Sequence, residues 1–69
     1  MNLDELDWAI GELLEMWAIA DANHTHAFCV SPTHYFDCMS VIEAMPRRER
    51  REVYALIERE RRRIGRGKP

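Results

Sequence analysis

Apolar residues recur along the first third of the chain at alternating spacings of three and four. Leu3, Leu6, Ile10, Leu13, Trp17 and Ala20 mark the seam, and a seam with that period is the packing stripe of an α-helix. Leu14 and Met16 widen it while Trp8 and Ile19 lie partly off it, so this first helix, about residues 3–22, needs more than one neighbour. Asn2 followed three residues later by Glu5 reads as a capping box, and Asp4, Glu5 and Asp7 sit where the helix dipole favours negative charge.

The period breaks over residues 23–31, a loop with an apolar middle at Ala27, Phe28, Cys29 and Val30. Asn23 suits the left-handed conformation that ends many helices. Ser31 before Pro32 is an N-cap followed by the residue best suited to a first helical position. It predicts a second helix over about 32–44, with Tyr35, Phe36, Met39, Ile42 and Met45 facing inward and Cys38 and Val41 beside them. Pro46 breaks that helix and opens a third, about 46–64, ended by Gly65. Val53, Leu56, Ile57 and Ile64 give the third helix a narrow apolar stripe, with Tyr54 on its edge, and Glu58 stands within pairing distance of Arg61 and Arg62.

The expected architecture is therefore all-α: a small three-helix domain, helix–loop–helix–turn–helix, over residues 1–64, with a flexible basic tail over 65–69. A chain this short buries only about 60% of its unfolded surface, and small scaffolds commonly need a staple. Homodimerisation through the seam of the first helix is the staple the pattern suggests. No apolar run reaches the roughly 18 residues of a membrane span, and acids stand where a signal peptide carries positive charge. A cytoplasmic location, with Cys29 and Cys38 as reduced thiols, is the expectation.

Charge changes the picture more than composition does. Residues 1–45 hold eight acids and no Lys or Arg, whereas residues 46–69 hold nine Arg and one Lys against four Glu, so the net charge of −2 conceals two oppositely charged halves. Such polarity steers encounter with a charged partner and favours one docking pose. The residues expected to do this are Trp8, Glu12 and Glu15 on the acidic helix and Arg47, Arg51, Arg59 and Arg62 on the basic one. Trp8, ringed by acids, is the aromatic expected to anchor the contact, since exposed Trp is enriched in binding hot spots.

Two other chemistries compete for the same residues. His24, His26, Cys29, His34 and Cys38 lie within fifteen residues, and His26, Cys29, His34 and Cys38 are candidate ligands for a tetrahedral zinc ion that would staple the fold. Their spacing matches no standard finger or ribbon. The alternative is that both cysteines are small core residues and that His24 and His26 are solvated. A Cys nucleophile with a His base also needs an oxyanion hole and a cleft, for which the chain is small. The Arg-rich third helix offers bidentate phosphate donors, hence a nucleic-acid-binding regulator as an alternative. Against it, the pI of about 5.9 lies far below the basic footprint of such domains, and the upstream acids repel phosphate unless they face another way.

In its brevity, its lack of catalytic apparatus and its charge polarity, the chain is similar to small accessory proteins of bacteriophages and mobile elements. That resemblance implies binding to, and blocking, a host protein. Taken together, these features predict a non-enzymatic protein-binding module, without cofactor, that acts as regulator, adaptor or inhibitor.

Overall fold

A computed structural model describes residues 3–66. The chain runs through α1 (Leu3–Ala22), a short 3-10 turn (Ala27–Cys29), α2 (Pro32–Glu43) and α3 (Arg47–Arg66), with no strand among the described residues. The fold is thus the small all-α, three-helix arrangement that the spacing predicts. The capping box at Asn2 and the end of the basic tail, residues 67–69, lie outside the described residues.

The helix ends depart from expectation in three places, each for a local reason. At the end of α1 it is His24, not Asn23, that takes the left-handed conformation, with φ 57°. Thr25 N–H reaches back to Ala20 O at 2.9 Å and His24 N–H to Asp21 O at 3.3 Å, the paired bonds of a Schellman motif. Asn23 contributes instead through its side chain, whose Nδ2 donates to Ile19 O at 2.8 Å. At the start of α3, Pro46 stands one residue outside the helix, its carbonyl accepting from Arg50 N–H at 2.9 Å. At the far end Gly65 does not stop α3, which continues to Arg66. An isolated Gly costs a helix only about 1 kcal/mol, so the long Arg-rich run carries through it.

The segment between α1 and α2 is ordered by its own contacts. His26 is the N-cap of the 3-10 turn, its Nδ1 accepting from Phe28 N–H at 3.0 Å. This turn tucks Ala27 into the core with no exposure. Ser31 caps α2 without a side-chain hydrogen bond, and Pro32 supplies the first turn.

Ten apolar side chains are buried among the described residues, led by Leu13, Ile42 and Cys38. Leu13, Met16, Ala9 and Ala20 from α1 meet Cys38 and Ile42 from α2, Val53 and Ile57 from α3, and Met45 from the connecting turn. The seam of α1 is therefore occupied inside the chain, with Leu6, Ile10 and Trp17 partly buried at its margins. Among the described residues no helix is long and apolar enough to cross a membrane.

Candidate interaction surfaces

Three joints hold the helices and set what each face presents. Between α1 and α3, Arg61 sends Nε and Nη2 to the two carboxylate oxygens of Asp21 at 3.2 and 2.8 Å. Its guanidinium carbon also lies 3.7 Å from the centre of the Trp17 ring. The hydrogen bond to Asp21 raises the Arg61 pKa further, against the opposing pull of desolvation. Between α2 and α3, Glu43 accepts from Arg50 Nη1 at 3.1 Å and from the Tyr54 hydroxyl. Burial, then the hydrogen bond to Glu43, pushes the Tyr54 phenol up to about 12. Between α1 and α2, His34 Nε2 lies 3.1 Å from Glu12 Oε1.

The expected acidic site assembles around that last joint. Trp8, Glu12 and Glu15 are spaced four and three apart on α1 and so share one face. Trp8 is 44% exposed and meets the His34 ring edge-on, centroids 5.6 Å apart. A hydrogen bond with Glu12, then repulsion from its charge, raises the Glu15 carboxyl above its ordinary value, with His34 opposing. Ile19, one further step along the same face, is 52% exposed. The stripe is mixed: carboxylates bracketed by a large apolar side chain at each end.

A second exposed surface went unforeseen. Phe36, expected to face inward, is 59% exposed, and Phe28 is 38% exposed. The 3-10 turn brings Phe28 against Phe36 and Tyr35 in edge-to-face contacts of 5.3 and 5.9 Å between centroids. The series continues inward from Tyr35 to His26 at 5.4 Å and from His26 to Trp17 at 4.5 Å. Beside it, Trp17 of α1, Tyr35 and Met39 of α2 and Tyr54, Ile57, Glu58 and Arg61 of α3 line a groove of about 230 Å³ where the three helices meet. The sequence signal for this surface was the apolar middle of the loop, Ala27 to Val30. What it lacked was the turn that buries Ala27 while turning Phe28 outward.

On α3, the expected residues Arg47, Arg51, Arg59 and Arg62 are all exposed, as is Arg48. Arg47, Arg48 and Arg51 border an open depression with Glu52 and Ala55. Glu58 pairs with Arg62 at 3.5 Å, while its other expected partner, Arg61, is drawn to Asp21. Among the described residues no ion pair engages Arg47, Arg48, Arg51 or Arg59.

The candidate zinc ligands are not brought together. Among the described residues no group of three or more His, Cys, Asp or Glu is placed to hold a metal ion. Cys38 is fully buried, and burial, followed by the charges of Glu12 and Asp37, pushes its thiol up and away from the thiolate that a ligand or nucleophile requires. Cys29 is exposed rather than a core residue, His26 is committed to the 3-10 turn, and His34 turns to Glu12. No family model matches the chain, and no curated protein or solved structure matches it either.

Proposed function

We propose that this chain is a non-enzymatic protein-binding module, a regulator, adaptor or inhibitor that docks on a partner protein through the half built from α1, the 3-10 turn and α2. The observation that carries the reading is the exposure of Phe36 and Phe28, 59% and 38%, in a chain whose core is small. Contiguous apolar surface on a soluble domain marks interaction sites. Edge-to-face contact holds these rings in place, so little side-chain entropy is lost when a partner covers them. Trp8, with Glu12 and Glu15 beside it, gives the same half an aromatic anchor and a charged surround, the composition typical of hot spots. This arrangement suits the blocking role implied by the resemblance to phage accessory proteins.

The test is capture of partners from the native source by the tagged chain, read by quantitative mass spectrometry against Phe36→Ser and Trp8→Ser. Both side chains are substantially exposed, so circular dichroism of the variants should match the parent. A partner retained by the parent and reduced about tenfold or more by either variant supports the reading, a hot-spot loss being worth about 2 kcal/mol. Recovery of the same proteins in the same amounts by all three overturns it.

A further inference from the structure

The outer face of α3 is chemically unlike the half formed by α1, the 3-10 turn and α2. Val53 and Ile57 point into the core, and on the other side of the helix stand Arg47, Arg48, Arg51, Arg59 and Arg62, all exposed. They span sixteen residues, about 22 Å of helix at 1.5 Å of rise per residue. Between them lies Ala55, exposed and too small to keep another surface at a distance. No large apolar or aromatic side chain interrupts this face.

We infer that the outer face of α3 is a binding surface for the phosphate backbone of duplex DNA, a site beyond the protein-docking reading and independent of it. A protein partner needs a desolvated apolar centre to bind tightly, and this face has none. A ligand recognised by charge alone needs only guanidinium groups, which bind phosphate bidentately. Without aromatic platforms the face cannot stack unpaired bases, which favours a double helix over a single strand. An α-helix enters the B-form major groove, about 12 Å wide, whereas the A-form major groove of duplex RNA is too narrow.

The acids that argued against nucleic acid at the level of the sequence lie elsewhere. Glu12 is tied toward α2 by His34, and Asp21 is neutralised by Arg61. Interactions between exposed charges are screened out over about 8 Å at physiological salt, and even the shortest dimension of the molecule is 19 Å. Acids on the far side therefore repel a bound phosphate weakly. Glu52, in the depression beside Arg48 and Arg51, is the carboxylate that opposes binding directly, and Glu58 is offset by Arg62.

The experiment is fluorescence anisotropy with a labelled 24-base-pair DNA duplex of arbitrary sequence at about 50 to 200 mM KCl. The full chain should bind with an affinity that falls steeply as salt rises, since each phosphate neutralised adds about 0.9 to the decline of log K per tenfold rise in salt. The double variant Arg51→Gln and Arg59→Gln should weaken binding at least tenfold and flatten the salt slope by about 2. Glu52→Gln should tighten it severalfold, with circular dichroism matching the parent. Phe36→Ser should bind the duplex as the parent does, so loss of the protein-docking reading leaves this result standing. No binding at 50 mM KCl, or binding unchanged in both the Arg and Glu52 variants, would overturn the assignment. Equal affinity for an RNA duplex of the same length would overturn it as well.

Discussion

His24 holds a conformation that its side chain disfavours. A φ of 57° costs a residue with a Cβ about 1 to 2 kcal/mol, and glycine avoids that cost while giving back about 0.5 to 1 kcal/mol in chain entropy. His24→Gly should therefore stabilise the fold by about 0.5 to 1 kcal/mol, a rise in Tm of roughly 2 to 8 °C. A thermal melt showing no rise would mean that His24 makes up its strain through contacts of its own. Asn23 was the natural choice for this position in the sequence. What the sequence concealed is that Asn23 has a better use, donating to Ile19 O, which moves the turn one residue on. Glu15 is a second residue whose surroundings set its behaviour. Its carboxyl is raised by Glu12 from an ordinary value of 4.5, so the folded state holds that proton more tightly than the unfolded chain. The associated stability is fully present below the unfolded value and is lost as pH rises through the higher folded one. Glu15→Gln should remove this part of the pH dependence and leave the fold at least as stable as the parent at neutral pH. Denaturant midpoints measured from pH 4 to 7 would show it; parallel curves for the two proteins would refute it.

Among the elements, the joint between α1 and α3 was hidden from periodicity. Arg61 falls within a run of arginines, and spacing along one helix offers it Glu58 as a partner, three residues away. The tertiary structure outbids that neighbour with Asp21, forty residues distant, because Asp21 and Trp17 lie one turn apart on α1 and present a carboxylate and a ring face together. The three helices themselves were legible because apolar spacing reports a helix directly. Phe36 was not, because the inward face of a 12-residue helix is wide enough to admit a residue that a neighbouring turn then leaves outside. Arg61→Gln should cost about 1 kcal/mol in low salt, from an exposed ion pair and a cation–π contact together. The loss should shrink as ionic strength rises. Arg62→Gln, which gives up an exposed pair with Glu58 on its own helix, should cost close to nothing. Equal shifts in denaturant midpoint for the two variants would count against the joint.

At the scale of the whole molecule, the charge split was plain in the sequence but its geometry was not. Alternation along a chain does not say whether two charged segments will lie against each other and cancel. Here the halves meet through two ion pairs among the described residues, Asp21 with Arg61 and Glu43 with Arg50, while Glu12 turns to α2 and the outer arginines of α3 face solvent. The core has the residues the period selected, Leu13, Ala20, Ile42, Val53 and Ile57 among them. That left the aromatic side chains near the 3-10 turn to cover the rest of the surface.

Segregation of this kind makes the molecule an electric dipole, and its behaviour on a charged matrix should follow from which face touches the beads. With a pI of about 5.9, a protein of mixed surface would pass through a cation exchanger at pH 7. This one should be retarded on a sulfonate column as well as on a quaternary amine column, at the same pH and low salt. Arg51→Gln with Arg59→Gln should abolish the first retention and spare the second. Flow-through of the parent on the sulfonate column would show that its arginines do not act as one face.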